Sequence, residues 1–357
     1  MESISVGVLL PSSTILPISK DFEKGLKDGL KLSPEINAEI VKEFIGQGSL
    51  KQTEEACNKF FNYHDVDIIT GIVSSKVMED LSESFKTRKK SIIINNLGGH
   101  IPNVKKINEY IFVNSMHLWQ HAFTMGKWGV QTLGKKGMFV SSIYDAGYSF
   151  SQMFNMGMTA GDPESKWSFS VTPMPAAGEL ADISVLFPFI EKYEPDFIFA
   201  TFCGKETTLF LNEFINRGWH HKIKVTGLPF LTAPFEPLQE HLTVYSTLPV
   251  TNKPEYLAEK AFYDLGYTTG VNIAKAALAS DGTDLQKQLE NLHNMFSVAN
   301  NSSGDELTIV KYDLPANGSK PAPSIVTSFD TFDKKNQAMQ TLHGDMNFGW
   351  ANPYLCI

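Results

Sequence analysis

At 357 residues, with 42% hydrophobic and 20% charged side chains, the chain is long enough to build two cored domains. Its formal net charge of −8 argues against nucleic acid as a partner, because a polyanion needs a basic face. No apolar stretch approaches the roughly 20 residues of a membrane span, so direct membrane insertion is not expected.

The chain opens Met1-Glu2-Ser3-Ile4, straight into a strand over Ile4–Leu10 that Pro11 closes. No basic, apolar leader precedes it, so the sequence reads either as cytoplasmic or as the mature part of an exported protein. A Ser12-Ser13-Thr14 loop follows. Ser19 reads as the N-cap of a helix whose one face carries Phe22, Gly25, Leu26, Gly29 and Leu30. Glycines on that face let the helix lie close to a sheet. Ala38–Ile45 reads as the second strand and Leu50–Tyr63 as the second helix. Val66–Val73 is short, apolar and β-branched, as a strand buried on both faces should be. It ends at Ser74-Ser75, where a helix begins at once. Ser91–Asn95 is another buried strand, leading into Asn96-Leu97-Gly98-Gly99-His100, and Tyr110–Asn114 leads out of the unit.

The same order then repeats. A helix carrying Ala122, Phe123, Gly126, Val130 and Leu133 precedes a strand over Gly137–Ile143. The loop Tyr144–Tyr148 feeds a helix with Phe150, Met153, Phe154, Gly157 and Met158 on one face. Trp167–Thr172 is a strand, and the next helix ends near Tyr193 with Pro188 limiting its start. Asp196–Phe202 is a strand, and the helix after Gly204 stops at Gly218. Lys222–Gly227 and Leu242–Leu248 complete the second unit. Two helices follow, near 254–279 and 283–296; having no sheet of their own, they must pack back, most simply onto the first unit. Glu306–Asp313 and Ser324–Phe332 read as a strand pair around a Pro315-Ala316-Asn317-Gly318 turn. The tail from Leu342 reads as irregular coil.

Alternating strands and helices imply parallel sheets with right-handed crossovers. In such sheets ligands sit at the carboxyl ends of the strands. Here those ends carry Ser, Thr, Asn, Gly and aromatic residues and little acid–base machinery, which favours holding a small molecule over transforming it. There is no G-x-G-x-x-G, no P-loop and no G-x-S-x-G, so neither a cofactor nor an enzyme is expected. His117 and His121 are spaced i, i+4 but have no third ligand at motif spacing, so no metal site is expected. Three cysteines, Cys57, Cys203 and Cys356, do not make a disulfide framework. Ser74 and Ser75, at a strand end and helix start, read equally as a plain cap or as an anion site.

In order and spacing the chain resembles the type I periplasmic binding proteins, and among them the leucine/isoleucine/valine-binding branch that serves ABC importers. The residues carrying the resemblance are ISVGVLLP at 4–11, DVDIITGIVSS at 65–75, KSIIINNLGG at 90–99, GKKGMFVSSIYDAGY at 134–148, PDFIFATFCGKETTLFLNEFINRGW at 195–219 and KYDLPANGSKPAPSIVTSF at 311–329. The resemblance implies an α/β fold of two Rossmann-like lobes joined by three crossovers, near Asn114–His117, Ser246–Val250 and Ser324–Phe329. Lobe 1 would be residues 1–115 with 249–325, and lobe 2 residues 116–248 with 326–357. It implies a ligand held between the lobes by hinge closure, with importer membrane subunits as partners and a periplasmic or lipid-anchored location. A cytoplasmic ligand-sensing regulator of the same fold, resembling the amide sensors, is the alternative. By resemblance the ligand residues are Ser12, Ser13, Thr14, Ser74, Ser75, Asn96, Leu97, Gly98 and Gly99 on the first lobe. On the second they are Tyr148, Phe202, Gly204, Lys205 and Phe230. The amino-acid binders place a carboxylate against the ligand's ammonium; the matching loop here, Gly227–Thr232, has none. Either Asp145 or Glu206 takes that role, or the ligand is not an α-amino acid.

Overall fold

A computed structural model describes residues 2–13, 16–103, 105–176, 179–234, 236–249, 260–280, 285–292, 306–316, 323–330 and 349–354. The chain divides into two compact units. One comprises Met1–Met116, Lys260–Asn301 and His343–Leu355, the other His117–Glu259, Ser302–Leu342 and Cys356–Ile357.

The first unit is built on β1 (Glu2–Leu10), β2 (Ile36–Phe44), β3 (Ile68–Ile72), β4 (Ser91–Asn96) and β5 (Ile111–Ser115). They form a parallel sheet in the order β2-β1-β3-β4-β5. β3 and β4 are buried along their whole length, which is why both read as unbroken apolar runs. Three helices alternate with the strands: α1 (Ile18–Leu30), α2 (Leu50–Lys59) and α3 (Ser75–Arg88). α2 runs into a π-helical turn over Phe60–His64, so the expected helix to Tyr63 changes its winding at Phe60. Phe60 is fully buried there, its ring close against Gly7 of β1.

The second unit has β6 (Lys136–Ser141), β7 (Lys166–Val171), β8 (Phe197–Thr201), β9 (Lys224–Gly227), β10 (Leu242–Pro249), β11 (Glu306–Leu314) and β12 (Ser324–Asp330). Their order is β12-β11-β10-β9-β8-β6-β7, parallel from β7 to β10 and antiparallel across β10-β11-β12. Its helices include α4 (Leu118–Thr132), a short α5 (Ile143–Ala146), α6 (Phe150–Gly161), α7 (Phe187–Tyr193) and α8 (Lys205–Asn216). Ile143 leaves the strand expected over Gly137–Ile143. Ser142 ends it by capping α5, its hydroxyl accepting from Tyr144 N at 3.4 Å.

Two expectations about the division are corrected. Residues 306–314 pair with β10 from Leu242↔Leu314 to Pro249↔Leu307, which places them in the second unit rather than in a first lobe running to residue 325. Ser246–Pro249 and Ser324–Phe329 are strand residues of the second sheet; Val250 lies outside the described residues. The first stretch of the first unit ends at Met116, and the second unit starts at His117. The tail segment 349–354 belongs to the first unit, not to a second lobe that includes 326–357.

The returning helices α9 (Ala261–Ala279) and α10 (Leu285–Asn291) belong to the first unit, as their lack of a sheet required. α9 lies on α1, and the α1 glycines serve this helix pair rather than a helix–sheet contact. A Cβ on Gly25 would fall 2.1 Å from Tyr263 O, and one on Gly29 2.3 Å from Tyr267 O. From the other side, Gly266 would meet Phe22 O at 2.2 Å and Gly270 Leu26 O at 2.3 Å. α4 and α6 repeat the device in the second unit, with Gly126 against Phe154 O and Gly157 against Phe123 O. Asn95 then pins α9 to the sheet. Its amide donates to Thr70 Oγ1 and Gly71 O, and its carbonyl accepts from Asn114 Nδ2 and Thr269 Oγ1.

Cys57 is free, and burial pushes its thiol up to about 12. Cys203 is disulfide-bonded. Among the described residues, no helix is long and apolar enough to cross a membrane, and no group of three His, Cys, Asp or Glu could hold a metal ion.

Candidate functional site

The two sheets share one plan. In the first, β1 leads to β2 on one side and to β3 on the other, so the strand order reverses between β1 and β3. In the second, β6 is flanked in the same way by β7 and β8. Ligand crevices in open α/β sheets lie outside the carboxyl ends of the strands at this reversal. The candidate residues of each unit are those that follow β1, β3 and β4, and those that follow β6, β8 and β9.

In the first unit, α3 begins directly after β3. Ser74 is in extended conformation, and its hydroxyl accepts from Lys76 N at 3.2 Å. That bond satisfies one of the amides a helix start leaves unpaired; the others, with the positive end of the helix dipole, favour an anion. Lys76 brings a cation into the same turn. His100, buried at the β4 loop, is lowered to about 4 by burial first and by Lys76 second, so it is neutral at pH 7. The first turn of α3 carries no carboxylate; Glu79, in the next turn, accepts from Asn103 N at 2.8 Å.

Asn96 organises the corner. Its amide donates to Val73 O at 3.1 Å and to Ser75 Oγ at 3.4 Å. Its carbonyl accepts from Gly98 N at 3.0 Å and from Ser115 Oγ at 2.7 Å. One side chain thus ties the ends of β3, β4 and β5 together, and the structure brings Ser74, Ser75, Asn96 and Gly98 into one hydrogen-bonded cluster. Leu97 and Gly99 are buried beside it. Ser12 is turned to other work: its amide and hydroxyl both donate to Gly46 O, bracing the β1 and β2 loops. Ser13 accepts from Leu16 N through its hydroxyl, and Thr14 lies outside the described residues. Ser19, expected to cap α1, sits inside that helix with its hydroxyl bonded to Pro11 O.

In the second unit, Ser141 and Ser142 end β6. Thr201 at the end of β8 donates to Ser141 Oγ at 2.7 Å, locking the two strand ends on either side of the reversal. Tyr148 is buried with its ring 5.9 Å from that of Phe150. Phe230 is buried in a short 3₁₀ turn after β9. Gly204 has φ 61° and ψ −133°, a conformation that favours glycine, and it starts α8. Lys205 beside it is exposed. Phe202 is only 1% exposed and stacks on Phe210 at 4.5 Å within the core cluster of the unit, so its ring serves packing. Of the two acids considered for an ammonium, Glu206 accepts from Ala181 N at 2.9 Å and is thereby engaged. Asp145 is buried in α5, at the carboxyl end of β6.

Sequence reading missed Lys76, His100 and Ser115. Lys76 could have been read from its place one residue after the Ser-Ser pair. Ser115 and His100 carry no local signal; only strand pairing brings them to Asn96 and Lys76.

A periplasmic binding protein family model matches residues 3–298. Among curated proteins, none matches this sequence. Among solved structures, the chain is similar to an ABC transporter substrate-binding protein from Sphaerobacter thermophilus, at 18% identity and TM-score 0.69, with 93% of this chain and 99% of that one covered. A Rhodopseudomonas palustris solute-binding protein of an ABC transporter, in complex with 3,4-dihydroxybenzoic acid, is 15% identical with TM-score 0.68, covering 93% and 98%. A leucine-binding protein from Thermotoga maritima is 16% identical with TM-score 0.62, covering 92% and 99%.

Proposed function

Starting from a chain that belongs to the periplasmic binding protein family, we propose that it captures a small organic anion with an apolar or aromatic body and delivers it to an ABC importer. The observation that carries this reading is the first-unit corner. There Ser74, Ser75 and the amides of α3 meet Lys76, with Asn96 holding the loops in place. A carboxylate suits that corner. In the second unit, Tyr148 and Phe230 are buried aromatic residues in the segments that follow β6 and β9. Gly227–Thr232 carries no acid to pair an ammonium, and a buried ammonium without a counter-charge is costly. The R. palustris solute-binding protein of similar fold, in complex with 3,4-dihydroxybenzoic acid, supports this reading.

The role is binding, not turnover, in an extracytoplasmic compartment. The disulfide at Cys203 supports that location, since such bonds persist where the surroundings are oxidising. A second reading rests on Asp145. A buried carboxylate in the short helix after β6 would suit an α-amino acid's ammonium.

Ser75→Ala tests the leading reading. Removing a hydroxyl that binds a charged group costs about 1.5–3 kcal/mol, or a roughly 10- to 150-fold loss of affinity. Calorimetry with an aromatic carboxylate reads it. Unchanged affinity in a folded variant would reduce Ser75 to a helix-start residue and remove the basis of the proposal.

A further inference from the structure

The C-terminal segment Gly349–Tyr354 returns to the first unit and touches it at two separated loops. At one end, the Trp350 backbone lies close to His100, in the loop after β4. At the other, Pro353 packs against Gly48 in the loop after β2; a Cβ on Gly48 would fall 2.8 Å from Pro353 Cδ. Tyr354 is 2% exposed and Trp350 half-buried. β2 and β4 are not neighbours: in the order β2-β1-β3-β4, the ends of β1 and β3 lie between them. Those are the strand ends that carry Ser12, Ser13, Ser74 and Ser75. Adjacent strands are about 4.8 Å apart, so the two loops are separated by roughly 14 Å at their strand ends. An extended path from Trp350 to Pro353 covers up to about 10 Å, and the loops supply the difference.

We infer that Trp350–Tyr354 is a strap crossing the carboxyl edge of the first sheet, and that it forms an aromatic wall of the anion-binding corner. Its residues are Trp350, Ala351, Asn352, Pro353 and Tyr354, with no charge to oppose a carboxylate or to compete with it. The Trp350 backbone lies close to His100, which also feels the charge of Lys76, so the strap reaches the side of the corner that holds the cation. The strap is thus a specificity element: it favours ligands whose body is planar and apolar. This rests on the function proposed above for the role in binding, but not for the position of the strap.

The experiment has two arms on the whole chain. Hydrogen exchange compares the ligand-free protein with a Trp350→Ala, Tyr354→Ala double variant. Faster exchange at residues 74–76 and 98–100, with the helices of the second unit unchanged, is expected; unchanged exchange at those amides overturns the strap's position. Calorimetry then compares benzoate with the 2-oxo acid of leucine for wild type, Trp350→Ala and Trp350→Phe. The expected result is a tenfold or greater loss of benzoate affinity in Trp350→Ala, a smaller loss for the aliphatic acid, and recovery in Trp350→Phe. Equal losses for both acids, or none, overturn the wall. If wild type binds neither acid while the exchange arm succeeds, the strap stands, and both the proposed ligand class and the wall's role in selecting it fall.

Discussion

Gly266→Ala perturbs the contact on which the first unit's returning helix depends. The new Cβ would sit 2.2 Å from Phe22 O, where ordinary contact begins near 3.4 Å, a shortfall of 1.2 Å. Its next neighbours, Leu26 N at 2.9 Å and Phe22 C at 3.0 Å, are also backbone, so no side chain can rotate away. α1 and α9 must separate by about 1 Å. That separation also loosens the approaches at Gly25, Gly29 and Gly270, because all four lie on one seam. Overpacking of this kind costs about 1–3 kcal/mol, and alanine's better helix propensity returns up to about 1 kcal/mol. A net loss of about 1–2 kcal/mol follows, or roughly 2–8 °C in Tm for a unit of this size. Thermal unfolding followed by circular dichroism reads it. Gly25→Ala combined with Gly266→Ala should cost less than the sum of the two, since one separation relieves both. A Tm equal to or above that of wild type, as propensity alone would give, would refute the close approach.

Asn96→Ala leaves Val73 O, Gly98 N and Ser115 Oγ without their partner, and should cost about 2–4 kcal/mol at roughly 1 kcal/mol or more for each lost bond; urea unfolding checks it, and a change below about 0.5 kcal/mol would contradict the bonding shown. His100 and His117 are both lowered from 6.5 to about 4, by burial above all. The unfolded chain therefore binds more protons between those values, so stability is full above about 6.5 and is lost as pH falls toward 4. His117→Asn, which tolerates the φ of 51° at that position, should flatten the fall of Tm with acidification; an unchanged slope would show that His117 is not a contributor. Cys57 should resist alkylation in the native protein and react after unfolding, while Cys203 should react only after reduction; native-state labelling of Cys57 would contradict its burial.

The sheet strands were legible because they are short β-branched runs between turn residues, and β3 and β4 fall within two residues of where the sequence puts them. The duplication was legible for the same reason: each unit spells strand, loop and helix in the same order. What was not legible is whatever depends on pairing across long stretches of sequence. Residues 306–314 look like any amphipathic strand, and only the ladder to Leu242–Pro249 says which sheet takes them. The glycines of α1 announced a close approach, but a sequence does not say whether a sheet or a helix 240 residues away supplies the other side. At the candidate site, Ser74 and Ser75 were visible as a strand end meeting a helix start. Asn96 was visible as a loop residue, though its role in binding three strand ends was not. Phe202 was visible as an aromatic residue at a strand end, though its stacking on Phe210 was not.

The central claim is that the chain binds an organic anion, and one calorimetric series tests it. Benzoate and 3,4-dihydroxybenzoate are titrated into the intact protein beside leucine and leucine's 2-oxo acid. Micromolar or tighter binding of an aromatic carboxylate, with leucine weaker by at least tenfold, is the result the account predicts. Tight binding of leucine with no binding of either aromatic acid would contradict it and give Asp145 the part of counter-charge.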